Sequence, residues 1–144
     1  MKFDAIARSL TLKKLCPNRK YLWKVDLWGG LEFQDELGGI NYDTFLTEYN
    51  TQLETLTRKR KIQDVENVVQ KMLDSEAKAL GYDSIATAVT YAEEPSVEKF
   101  QTEGKALRKR RSEVWGKCYE ILAAVDAGER EEPTVDQLIS ELKF

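Results

Sequence analysis

The sequence predicts a mainly α fold, a helical bundle-like domain preceded by an N-terminal β-hairpin. Three observations predict it. Apolar residues recur at helical spacing through most of the chain beyond residue 42, no glycine or proline falls between Gly39 and Gly81, and one alternating apolar run near residues 21–33 breaks the helical period. The chain accordingly divides into an N-terminal arm and hairpin, residues 1–40, and a helical domain, residues 41–144.

The elements follow in order. Ile6, Leu10 and Lys13–Lys14 allow a short first helix, which Cys16-Pro17-Asn18 ends because proline cannot continue it and pushes its predecessor toward extended geometry. Tyr21, Trp23, Val25 and Leu27 then alternate, and Leu31 and Phe33 resume the spacing of two after Gly29-Gly30. A two-residue loop would pair Leu27 with Glu32. A three-residue loop, Trp28-Gly29-Gly30, pairs Leu27 with Leu31 and Val25 with Phe33 and puts glycine where a left-handed residue is wanted. Such a hairpin is marginal alone in water and needs helices or another chain to pack on.

Phe45, Leu46, Tyr49, Leu53 and Leu56 form a first helical stripe, and Ile62, Val65, Val69, Met72 and Leu73 form a second, out of phase with it across Thr57–Lys61. Either one long helix carries a stutter there or two helices meet at a basic corner. Leu80-Gly81 reads as a helix end with a left-handed glycine cap. Asp83 is placed to cap a short helix with Ile85, Ala88, Val89 and Ala92 inward, interrupted at Glu93-Glu94-Pro95. Val97, Phe100, Gly104, Leu107, Arg111, Val114, Cys118, Ile121 and Val125 then step by three and four, with Gly104 and Arg111 out of character and Trp115 and Leu122 broadening the stripe. Gly128 stops that helix, and Thr134-Val135-Asp136-Gln137, behind Pro133, is a capping box that opens a last one through Leu138, Ile139 and Leu142.

A chain of 144 residues holds one domain or little more, and chains of about that size bury roughly 70% of their unfolded surface. The net charge of −3 argues against a general nucleic-acid binder. Charge is nonetheless polarised. Residues 1–24 hold seven Lys/Arg against Asp4, an excess of +6, and residues 25–57 hold seven acids and no Lys or Arg, an excess of −7. Neutralisation within the chain or between copies of it accounts for this better than a foreign acidic ligand. The opening residues carry charge too early for a secretory signal, and no run approaches the ~20 apolar residues that cross a bilayer, so a protein made in the cytosol, with no membrane contact, is expected.

Nothing in the residues points to catalysis. There is no histidine, and Cys16 and Cys118 stand far apart, so neither a structural zinc site nor a cysteine–base pair is available; no cofactor or metal is expected. The carboxylate pairs Asp35/Glu36 and Glu93/Glu94 sit beside glycine or proline, where solvated charge is normal, and Gly29-Gly30 and Gly38-Gly39 match no phosphate-binding loop. Two basic blocks, Arg58-Lys59-Arg60-Lys61 and Arg108-Lys109-Arg110-Arg111, are candidate phosphate contacts. Acids flank both (Glu54, Asp64, Glu103, Glu113), and consecutive helical residues splay around more than one face, which favours a locally paired, solvated surface.

The stretch Gly81–Phe144 carries Gly81-Tyr82-Asp83, Tyr91-Ala92, Phe100-Gln101-x-Glu103-Gly104, Val114-Trp115, Cys118-Tyr119, Ala127-Gly128 and Pro133-Thr134. In their order and spacing these marks resemble a small helical segment of tailed-bacteriophage proteins, often encoded near tail or tail-fibre genes. Where relatives tend to have bulkier apolar residues this chain has Lys109-Arg110. The resemblance implies a non-enzymatic virion structural or adaptor protein, associated with the tail, docking on larger phage structural proteins and synthesised in the host bacterial cytoplasm. It leaves open a transient tail or tail-fibre assembly chaperone, and a small phage regulator that binds a host protein or nucleic acid through the basic blocks. Tyr21, Trp23, Trp28 and Phe33 of the hairpin, with Phe45 and Tyr49 of the first stripe, are the candidate partner-binding residues, and a homo-oligomer would make use of the charge polarity.

Overall fold

The computed structural model describes residues 3–17, 21–23, 31–33 and 41–143, and for the two short segments only the backbone. The fold is mainly α. It divides into two compact units, residues 1–63 and 64–144, so the boundary drawn near residue 40 from the sequence falls inside the first of them.

In the first unit, helix α1 spans Ala5–Leu15. Asp4 starts it: its Oδ1 accepts from the backbone N–H groups of Ile6 and Ala7, both at 3.0 Å, which satisfies two of the donors a helix N-terminus leaves open. Cys16 ends it, donating its N–H to the Leu12 carbonyl at 2.8 Å, with Pro17 behind. The face turned inward is Ala7, Thr11 and Leu12, and the buried Thr11 hydroxyl is satisfied by donating to the Ala7 carbonyl at 2.8 Å. Ile6 and Leu10, which mark the helix in the sequence, lie on the outer face.

Strands β1, Tyr21–Trp23, and β2, Leu31–Phe33, pair antiparallel with Tyr21 opposite Phe33 and Trp23 opposite Leu31. This corrects the expected register, which set Leu31 against Leu27 and Phe33 against Val25. The two registers differ by an even number of residues, so the alternating apolar pattern stays in phase in both and does not choose between them. Val25, Leu27 and the turn expected at Trp28-Gly29-Gly30 lie outside the described residues.

Helix α2 runs unbroken from Tyr42 to Ala79, which decides between one helix and two. The Asn41 side chain caps it, accepting from the Asp43 N–H at 2.8 Å. Thr57–Lys61 stay helical and exposed, as Arg and Lys are good helix formers and nothing in the run removes a backbone bond. Upstream of that run Phe45 and Tyr49 are buried against Phe3, with ring centroids 5.3 and 4.8 Å from it, and the Asp4 N–H donates to the Tyr49 hydroxyl at 2.7 Å. Leu15, Leu46, Leu53 and Leu56 close around this aromatic centre. Lys14 reaches Glu48 at 2.8 Å, so the basic and acidic stretches of the sequence neutralise one another at this point inside the unit.

In the second unit the later part of α2 packs with α3, Ile85–Thr90, a 3-10 turn over Tyr91–Glu93, α4, Glu98–Asp126, and α5, Val135–Glu141. Val69, Leu73 and Ala77 meet Ile85, Ala88, Leu107, Val114, Ile121, Leu138 and Leu142 in one core, with Val65, Met72, Trp115 and Cys118 partly buried around it. Each fully buried Leu or Ile of this set is worth about 1.5–3 kcal/mol. The local signals read from the sequence hold here. Gly81 and Gly128 have φ of +93° and +71°, and each ends its helix in a Schellman motif, with Tyr82 N–H on the Ala77 carbonyl at 3.1 Å and Glu129 N–H on that of Ala124 at 2.9 Å. Thr134 and Gln137 form the capping box. One cap moves by a residue: Ser84, not Asp83, caps α3, and Asp74 of α2 also holds that end by accepting the Ile85 N–H at 2.9 Å.

Candidate docking surface

Three aromatic rings come together where α3, the 3-10 turn and α4 meet. The Schellman turn at Gly81 delivers Tyr82, the 3-10 turn opens with Tyr91, and Phe100 lies in the first turn of α4. Gly104 makes their meeting possible. A Cβ at that position would sit 2.5 Å from the Ala92 nitrogen and 2.8 Å from the Tyr91 carbonyl carbon, so only glycine admits this approach of backbone to helix. One turn before Gly104, Phe100 meets Tyr91 with centroids 5.5 Å apart, and Tyr82 stands 5.5 Å from Tyr91 and 6.4 Å from Phe100. The tilted and edge-on arrangements are those favoured by ring quadrupoles.

The cluster is built below and open above. Tyr82 donates its hydroxyl to Glu103 Oε2 at 2.8 Å, and burial, together with that carboxylate, pushes its phenol up to about 12. Lys99 flanks Glu103 at 3.8 Å. Phe100 keeps 38% of its surface in water and Val97 42%. Residues 82–103 hold five acids, Asp83, Glu93, Glu94, Glu98 and Glu103, against the single base Lys99. Arg108 pairs with Glu93, and Asp83 and Glu98 are exposed. Ser96 donates twice to Glu94, from its N–H at 2.9 Å and from its hydroxyl, which holds that carboxyl below its usual range. No nucleophile stands beside a base here, and the phenol is held neutral. What the arrangement offers is an exposed aromatic ring propped by two others, in a stretch of net negative charge, a feature that suits a contact surface.

The residues singled out from the sequence are placed as follows. Phe45 and Tyr49 are core residues of the first unit, 0% and 3% exposed, which removes them as docking anchors: Phe3 and α1 cover the stripe that the spacing left without a partner. Of Tyr21, Trp23 and Phe33 only the backbone is described, and Trp28 lies outside the described residues. Four of the eight basic-block residues are engaged by carboxylates. Arg110 turns inward, its side chain 18% exposed, and donates to both carboxylate oxygens of Glu76 at 3.0 and 2.9 Å and to the Leu142 carbonyl at 2.7 Å, tying α2, α4 and the end of α5 together. Arg108 is held by Glu93, Lys109 pairs with Glu113 at 3.7 Å, and Arg60 reaches Asp4 at 3.5 Å. Arg58, Lys59, Lys61 and Arg111 are exposed.

Sequence reasoning missed Phe100 as a surface residue. The spacing of three and four places Phe100 in the buried seam, although it stands one helical turn ahead of Gly104. Elsewhere, Leu15, Asp43, Thr44, Thr47 and Glu48 line an open depression whose Glu48 carboxyl is held below its usual range by Lys14 and Gln52. Burial pushes the half-buried Cys118 thiol up, away from nucleophilic use. Among the described residues no cluster of three or more Asp, Glu or Cys is arranged to hold a metal ion, and no helix is long and apolar enough to cross a membrane. Compared with known proteins, the chain matches no protein-family model, no curated protein and no solved structure.

Proposed function

We propose that the chain works by docking on another protein, without catalysis, through the Phe100 face. On the resemblance of residues 81–144, we assign it to the virion of a tailed bacteriophage, as a tail-associated structural or adaptor component made in the host cytoplasm. The observation that carries the docking reading is an exposed Phe100 propped by Tyr82 and Tyr91, the latter brought in by the Gly104 contact. An anchor of this kind gives up little side-chain freedom on binding, because its neighbours already hold the ring. Tyr21, Trp23, Trp28 and Phe33 belong to the same proposal on the sequence pattern alone. The basic blocks do not support nucleic-acid recognition, since Arg60, Arg108, Lys109 and Arg110 are engaged by carboxylates.

Quantitative mass spectrometry of purified particles tests this against a tail component of known copy number. A fixed stoichiometry for the wild type, lost in Phe100→Ala while the purified variant keeps its helical circular dichroism, is expected. A chain plentiful in infected cells and missing from particles would instead make it a transient assembly chaperone. Unchanged incorporation of Phe100→Ala would remove this face from the function.

A further inference from the structure

We propose that residues 57–64 of α2 form a helical joint, a stretch that opens to coil while the units on either side of it stay folded. Among the described elements α2 alone belongs to both units, whose boundary falls between Gln63 and Asp64. The helix gives Phe45, Tyr49 and Leu56 to the core of the first unit and Val65, Val69 and Leu73 to that of the second. Between Leu56 and Val65 stand eight residues, Thr57 to Asp64. Seven of them are exposed, and Ile62, the one apolar residue, is half-buried.

A stretch of helix that is polar all round is either a solvated bridge between domains or no stable helix. Here composition and position favour the bridge. Arg and Lys are good helix formers, and folded helix on both sides spares the stretch the cost of a nucleus. The block Arg58–Lys61 thereby has a reading that needs no phosphate: it keeps the bridge helical and wet. Arg60 reaches Asp4 of the first unit at 3.5 Å, but the two side chains are 51% and 29% exposed, where water and salt screen the pair. Opening the stretch gives up solvent-exposed backbone bonds and little buried apolar surface, which puts it at the low end of local stability. Opening α2 one or two turns further on either side uncovers Tyr49 or Val69, both buried. Binding energy gained in one unit therefore stops at the joint: a partner on the Phe100 face stabilises the second unit and leaves the first as it was.

Hydrogen exchange along α2 in the full-length chain tests this. Amides of residues 57–64 should exchange at least about tenfold faster than those of 46–53 and 69–77, three stretches of one unbroken helix. Lys59→Gly/Lys61→Gly changes two exposed sites outside both cores. It should quicken the joint by about a further tenfold and leave both flanks at wild-type rates. Leu73→Ala should quicken 69–77 and spare 46–53, and Tyr49→Phe should do the reverse. Uniform protection along α2 overturns the joint. So does a double-glycine variant that loses protection at both flanks in step, or that leaves 57–64 unchanged, and so does Leu73→Ala if it quickens both flanks by one factor.

Discussion

Replacing Gly104 by alanine pits two known effects against each other, and the structure says which wins. In the middle of a helix, Gly→Ala ordinarily gains about 1 kcal/mol. At Gly104 the added methyl would lie 2.5 Å from the Ala92 nitrogen, 2.8 Å from the Tyr91 carbonyl carbon and 3.0 Å from the Ala88 carbonyl oxygen. All three are backbone atoms, so no side chain can swing aside; α3 and the 3-10 turn must retreat together and draw Ile85 and Ala88 out of the core. Overpacking of this kind costs about 1–3 kcal/mol, and a backbone obstacle puts it at the upper end. Subtracting the helical gain leaves a net loss of about 1–2 kcal/mol. Gly116 supplies the control on the same helix, since a Cβ there meets nothing within 4 Å. Gly116→Ala should therefore stabilise by about 0.5–1 kcal/mol. Urea unfolding in a Trp23→Phe/Trp28→Phe background lets Trp115 report on the second unit alone. With a slope near 1 kcal/mol per molar, the two midpoints should move in opposite directions by about 1 M. Equal stabilisation by both substitutions would falsify the close-approach account.

Two further outcomes follow from the same unit. Arg110→Met strands the Glu76 carboxylate and the Leu142 carbonyl and should cost about 2–3 kcal/mol by chemical denaturation, while Arg108→Ala and Lys109→Ala, on exposed pairs, stay within about 0.5 kcal/mol of wild type. Tyr82 has its phenol raised from 10.0 to about 12, so the fold favours the neutral form; that contribution is whole below pH 10 and is lost as pH rises toward 12. Denaturation midpoints measured across that window should fall further for the wild type than for Tyr82→Phe, and parallel curves would show that burial and the Glu103 carboxylate do not raise the Tyr82 phenol.

What was legible in the sequence is what neighbouring residues encode. Gly81, Gly128 and Thr134–Gln137 fix helix ends through atoms a few residues apart, and each was readable. Contacts closed by distant residues were not. Phe45 and Tyr49 pattern as a free stripe until Phe3 is known to lie on them, and nothing in their spacing says whether the cover comes from this chain or another. The strand register was open because an even slip preserves alternation. For the block Arg108–Arg111 the splay was legible, because successive residues on a helix turn by about 100° and four adjacent charges point four ways; what was not legible is that Arg110 is the one that points into the structure, its partners Glu76 and Leu142 lying more than thirty residues away. Gly104 and Arg111 both looked like faults in one seam. The first marks a close approach of backbone to helix, whereas Arg111 is simply exposed, its inward place taken by Arg110.

The Gly104 contact ties stability to the proposed surface, because the backbone it admits is the one that carries Tyr91 to Phe100. A loss of function after Gly104→Ala would by itself be ambiguous between a weaker fold and a displaced ring. Thr134→Ala separates them. It removes the Thr134 half of the capping box at α5, away from the aromatic cluster, and should cost about 1 kcal/mol, comparable to the lower figure for Gly104→Ala. If the Phe100 face docks as a preformed platform, the two variants, matched in stability, should differ in association: Thr134→Ala close to wild type, Gly104→Ala weakened about tenfold, since moving Tyr91 leaves Phe100 unpropped. Equal weakening in both would mean that docking tracks the stability of the unit as a whole, and that the placement of the three rings contributes nothing of its own.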